Sequence, residues 1–299
     1  MQNRRDFLKN GTATMAGAVM ATVANPGETF AADEADLPLV VAVHGTDIPK
    51  MIEAGIAKFG GWDAFFKEGK KVALKPNVAW KSKPEQGGNT HPEIVKAFVL
   101  AAEARKVAKI SIPENTCHPA QESFPASGIP EAIKGTKARL YRPSREDYQR
   151  VEIPKGVKMH DAEVPKDLLE ADCLINIPVA KHHGGATLSI SMKNWMGSVK
   201  DRGFWHRNDL NECIVDFNSF LKPQLVVVDA TRIMLDKGPQ GPGPLAHPNE
   251  IIFSKDTVAA DAYATTLFPN RKPEDIKYIR LGDERKVGSM KYRLERIEV

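Results

Sequence analysis

Leu225-Val226-Val227-Val228-Asp229 is the stretch that decides the fold class. Three of its four apolar residues are β-branched, and such residues favour strands because they pack well on a pleated surface. An acidic residue ends the run, as is typical where a buried strand reaches a polar edge. The stretch therefore predicts a buried strand whose last residue, Asp229, stands at the rim of a sheet.

Similar apolar runs recur along the chain and alternate with helical patterns. Runs that predict strands lie at residues 39–43, 71–74, 108–112 and 173–179, and an alternating edge strand is expected at 292–299. Helical patterns occupy residues 48–66 (broken at the Gly60-Gly61 pair), 92–106, 188–199, 210–220 and 257–267. Two short strands, at 138–142 and 151–159, are expected in the less regular middle. Such alternation predicts an α/β fold, with a mostly parallel sheet, helices on both faces and a small antiparallel insertion.

The N-terminal segment predicts export. Asn3-Arg4-Arg5-Asp6-Phe7-Leu8-Lys9 resembles the twin-arginine motif, and a mildly apolar run follows at residues 11–24. That run is shorter than the roughly 20 apolar residues of a membrane span, and small residues at Thr29 and Ala31 are spaced like a cleavage site. We expect a signal peptide at 1–31, cleaved at or near Ala31, and a single α/β domain at 32–299. The expected partner is the twin-arginine translocase, the expected location is the periplasm, and no stable membrane span is expected after cleavage.

Charge and cysteine content narrow the function class. The leader holds three basic and two acidic residues, so +3 of the total net charge of +4 belongs to the remaining chain. Such a mild excess suits a small acidic ligand, whereas nucleic-acid binding requires a clustered basic face and is not expected. Cys117, Cys173 and Cys213 are too widely spaced for a disulfide framework or a metal knuckle. Of the three thiols, we expect that of Cys117 to be accessible.

Polar and basic residues follow several of the predicted strands. In open α/β sheets ligands bind at the carboxyl ends of the strands, so these residues are the candidates for a site. They are Lys75, Asn77 and Thr90 after the second strand, Glu114 after the third, Lys181, His182 and His183 after the fourth, then Lys193, Asn194 and His206, and Asp229.

Each candidate suggests a role. The lysines would supply positive charge, and Asn77 and Asn194 would provide oriented hydrogen bonds. His182 or His183, together with Lys181, would carry out the catalytic proton transfer. Adjacent strand residues point in opposite directions, so only one of the two histidines should face the site. Thr90, before Pro92, would cap a helix whose N-terminus can also hold an anion, and Glu114 or Asp229 would offset the crowded cations.

Several short motifs follow one another in order within residues 39–268: Lys75-Pro76-Asn77, Thr90-His91-Pro92, Ile177-Pro178-Val179-Ala180-Lys181-His182, Lys193-Asn194-Trp195-Met196-Gly197, Asp229-Ala230, Ser254-Lys255-Asp256 and Ala259-Ala260-Asp261. As an ordered set they resemble a prokaryotic family known as domain of unknown function 362. Some members of that family carry ferredoxin-type iron–sulfur segments. The present sequence contains no CxxCxxC run, so it has no iron–sulfur motif of its own.

Three functions remain open from the sequence. The first is a cell-envelope protein, either a binder or an enzyme using lysine and histidine chemistry, with a basic cleft for a small anion. The second is a metal-dependent redox or metal-handling protein in which His182, His183, His206 and Asp229 would bind a transition metal, with His118 and Cys117 as further candidate ligands. The third is a non-catalytic scaffold.

The first hypothesis makes a geometric prediction. Lys75, Asn77, Lys181, His182 and Lys193 should converge on one cleft, with Lys75 and Lys181 within about 15 Å of each other. At least one lysine or histidine in that cleft should have a depressed pKa.

Overall fold

The computed structural model describes residues 36–299, so the expected signal peptide at 1–31 lies outside the described residues. The strands are β1 Leu39–His44, β2 Lys71–Pro76, β3 Lys109–Pro113, β4 Arg139–Tyr141, β5 Tyr148–Glu152, β6 Asp161–Pro165, β7 Cys173–Ile177, β8 Val179–His183, β9 Thr187–Ser189, β10 Leu225–Met234, β11 Leu245–Ala246, β12 Glu250–Ser254 and β13 Arg293–Glu298. The helices are α1 Ile48–Ala57, α2 Pro92–Ala104, α3 Ala120–Ser127, α4 Ile129–Ala132, α5 Lys166–Leu169, α6 Ser191–Asn194, α7 Gly203–Arg207, α8 Leu210–Phe220, α9 Thr257–Thr265 and α10 Lys277–Glu284.

One large sheet organises these elements in the order β13-β1-β12-β10-β7-β2-β3-β4. The neighbouring strands from β10 through β7, β2 and β3 to β4 are all parallel. Strand β12 runs antiparallel to both β1 and β10, and β13 closes the edge parallel to β1. Strands β5 and β6 form a separate antiparallel pair. The predicted mostly parallel sheet with a small antiparallel insertion is confirmed.

Strand β10 shows why helices cover both faces of this sheet. Successive strand side chains point to opposite faces, so Val226 and Val228 belong to one apolar cluster and Leu225 and Val227 to the other. The first cluster includes apolar residues of α8, α9 and α10, and the second includes those of α1 and α2. Each fully buried side chain of this type contributes about 1.5–3 kcal/mol through the hydrophobic effect, which fixes the strand register against the helices.

Two segments differ from the sequence expectation. The helical pattern at 188–199 is instead strand β9, the short helix α6 and a 3-10 turn at Trp195–Ser198. Leu188 pairs opposite His182 in a β8–β9 hairpin, and this cross-strand pairing overrides the local helical pattern. The strand expected at 151–159 ends at Glu152, and after a turn the chain returns as β6.

Helix α2 begins at Pro92, as predicted, but its N-cap is His91 rather than Thr90. The His91 side chain accepts a hydrogen bond from the Glu93 amide. Thr90 therefore stands one residue before the cap. Among residues 36–299, no helix combines the length and the apolar character needed to cross a membrane.

Candidate functional site

A cavity of about 320 Å³ opens beyond the carboxyl ends of β2 and β3 and beside β8, where the fold class predicts a ligand site. Parallel strands bring their carboxyl ends to the same edge, so segments far apart in sequence meet there. We call this cavity the lysine cleft. It is lined by Asn77, Ala79, Trp80, Glu114, Asn115, Cys117, Lys181, His183, Ser189, Lys193, Asn194, Met196, Gly197, Arg202, His206 and Pro239.

Lys181 projects into the lysine cleft from β8 and is 1 % exposed. Its Nζ donates hydrogen bonds to Asn77 Oδ1, at 2.7 Å, and to the Gly88 carbonyl. Burial lowers its pKa to about 7, and the positive charge of the nearby Lys193 acts in the same direction. Lys181 is therefore a rigidly oriented hydrogen-bond donor that titrates near neutrality.

Lys193 lies in α6 and is 6 % exposed. Among residues 36–299, the hydrogen-bond contact of its Nζ is Met196 Sδ at 3.3 Å, and no carboxylate lies within 4 Å to pair with it. Burial lowers its pKa to about 8, with Arg202 adding to the shift and Cys117 opposing it. The predicted depressed pKa is thus found in both lysines of the cleft.

His183 is the histidine of the adjacent pair that faces the lysine cleft, and its side chain is buried. Its Nδ1 accepts hydrogen bonds from the amides of Gly185 and Ala186, at 3.0 and 3.1 Å. Burial, followed by the charge of Lys193, lowers its pKa to about 2. The ring is consequently neutral with its proton on Nε2, which makes it a hydrogen-bond donor rather than a base.

His206 also lines the cleft, with its ring nearly parallel to that of His183 at a centroid separation of 6.3 Å. Burial and the nearby Lys193 lower its pKa.

His182 does not line the cleft, which corrects its inclusion in the predicted convergent set. Strand alternation turns it away from Lys181 and His183, as the sequence predicted for one of the two histidines. Its Nδ1 accepts a hydrogen bond from the Gly238 amide at 3.1 Å, and its Nε2 lies 3.9 Å from Asp236 Oδ1. His182 therefore anchors the loop that follows β10.

Two asparagines line the cleft, and their amide groups bond to protein groups at its base. Asn194 Nδ2 donates to the Lys75 carbonyl and to Asn176 Oδ1, both at 2.8 Å. Asn194 Oδ1 accepts from Asn77 Nδ2 at 3.1 Å, and Asn77 Oδ1 in turn accepts from Lys181. This chain of bonds fixes both amide orientations and directs the Lys181 ammonium.

Lys75 is fully buried and does not line the cleft, so its expected role as a ligand cation is wrong. Its Nζ pairs with Glu114 Oε2 at 2.8 Å and donates to the Pro76 carbonyl at 2.7 Å. The same Glu114 oxygen accepts from the Val78 amide. Glu114 does offset a lysine, as predicted, but that lysine does not line the cleft.

Thr90 and Asp229 also lie outside the cleft lining. The side chains of both residues instead form hydrogen bonds that connect neighbouring segments of the protein. Thr90 Oγ1 accepts from the Asn77 amide and donates to the Ile177 carbonyl. Asp229 pairs with Arg232 and accepts from the His91 amide at 2.8 Å. Burial would raise the pKa of Asp229, but the Arg232 guanidinium holds it below its ordinary value. Asp229 therefore offsets the charge of Arg232, a cation that does not line the cleft.

Residues 72–266 match the sequence profile of the family described as Domain of unknown function (DUF362). The chain belongs to the DUF362 family. The resemblance seen in the motifs is thereby confirmed over the part of the chain that contains every residue of the lysine cleft.

Similarity to individual proteins is more distant. The chain is 27% identical over 220 residues to the thylakoid-associated protein sll1697 of Synechocystis sp. (strain ATCC 27184 / PCC 6803 / Kazusa), a match that covers 68% of this chain and 65% of that protein. It therefore spans slightly less than two thirds of that relative.

Two solved structures share a TM-score of 0.45 and 13% identity with this chain. One is the lactate racemase apoprotein from Thermoanaerobacterium thermosaccharolyticum, matched over 75% of this chain and 55% of that one. The other is a structural-genomics crystal structure of a protein from Thermotoga maritima, matched over 79% and 59%.

Arg202 also lines the cleft of this DUF362 protein, although no sequence motif predicts a role for it. Its NH1 group donates to the Asn115 carbonyl at 2.8 Å, which holds the guanidinium at the cleft. Its position shortly after Lys193 is the feature of the sequence that could have identified Arg202 as a cleft residue. Cys117, the accessible thiol, also lines the cleft, and its pKa is raised by burial while Arg202 opposes the shift.

The metal ligands proposed from the sequence do not come together. Among residues 36–299, no group of three or more histidine, cysteine or acidic side chains is placed to hold a metal ion. His183 and His206 are neighbours, but His182 faces the other side of β8, and Asp229 is occupied by Arg232.

Proposed function

We propose that this DUF362 protein binds a small anionic molecule in the lysine cleft. The observation that supports the proposal is an imbalance of charge. Lys181, Lys193 and Arg202 line the cleft, and the one carboxylate in the lining, within the described part of the chain, is that of Glu114. Since Glu114 is already paired with Lys75, the cations of the cleft have no counter-charge of their own.

An anion would resolve this imbalance. Buried charges are costly unless they are paired, and a carboxylate or phosphate would accept hydrogen bonds from the two lysines and the guanidinium. His183 Nε2 would add a neutral donor. Trp80, Met196 and Pro239 supply apolar walls for a carbon skeleton, and the volume lies at the small end of the range for ligand pockets.

Calorimetric titration with sulfate, acetate and succinate tests the proposal. Lys193→Met keeps much of the side-chain volume but removes the charge, and we expect it to weaken anion binding about 10- to 100-fold, since a charge-assisted hydrogen bond contributes roughly 1.5–3 kcal/mol. Lys50→Met is the matched control, because Lys50 is an exposed residue paired with Asp47. Equal affinities for both variants and the wild type, or no anion binding at all, would exclude the lysine cleft as an anion site.

We further propose that the protein acts in the cell envelope after export by the twin-arginine route. The support is the order of the arginine pair, apolar run and small residues within 1–31. Replacing Arg4 and Arg5 together by lysine keeps the charge but removes the sorting signal, so the precursor should accumulate in the cytoplasm on cell fractionation. Arg145→Lys, the same change at an exposed residue, should leave export intact. Periplasmic recovery of the double variant would show that the arginine pair does not direct export.

A further inference from the structure

Three buried lysines lie at or beside the lysine cleft, and their surroundings differ. Lys75 has a carboxylate partner, and Lys181 has two oxygen acceptors. Lys193 contacts a thioether sulfur, which is only a weak acceptor. It is also more open to the cleft than Lys181, at 6 % against 1 % exposure.

This environment makes the ammonium form of Lys193 less stable than that of an exposed lysine, so the neutral amine is reached at a lower pH. No carboxylate among residues 36–299 lies within 4 Å to stabilise the charged form, and burial disfavours it. The pKa of about 8 places an appreciable fraction of the side chain in the neutral form near neutral pH. A neutral amine carries a lone pair, and a desolvated lysine of this kind is an activated nucleophile.

The neighbouring groups are arranged differently, as donors. Lys181 is oriented by Asn77 Oδ1 and the Gly88 carbonyl, and Arg202 by the Asn115 carbonyl. His183 presents Nε2–H, because its Nδ1 is occupied by two amides. These groups can hold an anion and polarise a carbonyl oxygen while the Lys193 nitrogen remains free to attack.

We propose that Lys193 forms an imine with a small carboxylate that also carries a ketone or aldehyde carbonyl, the carboxylate being held by Arg202 and the carbonyl oxygen facing the remaining N–H of Lys181. This inference rests on the proposed anion-binding function and narrows its ligand to the oxo acids.

The chemistry balances with groups of the cleft. The Lys193 nitrogen attacks the carbonyl carbon, and one N–H proton moves to the oxygen, giving a carbinolamine. The Lys181 ammonium then donates a proton to the hydroxyl group, the C–O bond breaks, and water leaves. The product is a protonated imine, with Lys181 left as the neutral amine.

Reductive trapping tests the inference on the wild-type protein. Glyoxylate, pyruvate and levulinate are each supplied with sodium cyanoborohydride, and intact mass and peptide mapping locate the adduct. At least one acid should add its mass, less water and plus two hydrogens, at Lys193. Acetone, which lacks the carboxylate of pyruvate, should label Lys193 about 10- to 100-fold less than the best acid, because it makes no charge-assisted bonds.

Two variants and a pH series complete the test. Lys193→Arg keeps the charge and should give no adduct in the cleft, whereas Lys50→Arg should be labelled at Lys193 as in the wild type. With each acid at a saturating concentration, trapping should increase as pH rises through about 8, rather than through the ordinary lysine value of 10.5. Adducts confined to exposed lysines, the same adduct in Lys193→Arg, or a rise only near the ordinary value would overturn the inference.

Sulfate binding, measured in parallel, separates the two proposals. If sulfate binds and displaces the oxo acids but no adduct forms at Lys193, the cleft is an anion site without imine chemistry. If neither sulfate nor the acids bind, the anion-binding function fails as well.

Discussion

At the scale of single residues, Gly197 makes room for the buried ion pair behind the cleft. An added Cβ would lie 1.9 Å from Glu114 Oε1 and 3.0 Å from Lys75 Nζ. Neither group can move freely, because Glu114 is held by Lys75 and by the Val78 amide. The glycine in the Lys193-to-Gly197 motif is thus explained by close packing.

Gly197→Ala should therefore destabilise the protein. Overpacking in a close-packed site costs about 1–3 kcal/mol, and displacement of the carboxylate would add to this by weakening a buried pair. Chemical unfolding measures the change. Gly184→Ala is the control, since no atom lies within 4 Å of its ideal Cβ, and its effect should stay within about 0.5 kcal/mol. Similar unfolding midpoints for the two variants would contradict this account of Gly197.

At the scale of elements, strands with a strong local signal were predictable. The run from Leu225 to Val228 is mostly β-branched and lies in β10, as predicted, but the strand does not end at Asp229 and continues to Met234 because its second half pairs with β8 and β11. The alternating C-terminal segment is the edge strand β13. In both cases the sequence pattern indicates how the strand is buried. An alternating pattern indicates a strand buried on one face, and a continuous apolar run indicates a strand buried on both faces.

Strand β8 was not predictable, because tertiary contacts decide it. Lys181, His182 and His183 look like a polar loop after a buried strand. They extend along β10 beyond Pro178, however, and β9 folds back upon them. Polar side chains are accommodated in this strand because a cavity, rather than the apolar core, lies beside Lys181 and His183.

The position of the candidate site and several of its residues could be predicted from the sequence, but the contacts of each residue could not. The rule that ligands bind at strand carboxyl ends correctly brought together Asn77, Lys181, Lys193 and Asn194. It could not tell which lysine has a partner, since the Lys75–Glu114 pair joins residues 39 positions apart. It also could not tell that two backbone amides fix the tautomer of His183.

At the scale of the whole molecule, the two cleft lysines couple stability to pH. Their folded pKa values, about 7 and about 8, lie below the ordinary 10.5. Between these limits the unfolded chain binds more protons than the folded one, so these lysines make stability increase as pH rises. Below about pH 7 they are charged in both states, and the cost of burying the charges is fully present.

A bound anion should offset the free-energy cost of burying the two lysine charges, and its effect should be largest at low pH, where both lysines are charged. Sulfate, whose charge is constant over the range, should raise the free energy of unfolding more at pH 6 than at pH 9, because it binds the ammonium forms and stabilises the folded state by mass action. Lys193→Met should show a smaller difference between the two pH values, since one titrating cation is gone, whereas Lys50→Met should behave like the wild type. Thermal or urea unfolding with and without sulfate provides the measurement. Equal stabilisation at both pH values in the wild-type protein would mean that the anion is not bound by groups that lose their charge in this range, and the lysine cleft would then not be its site.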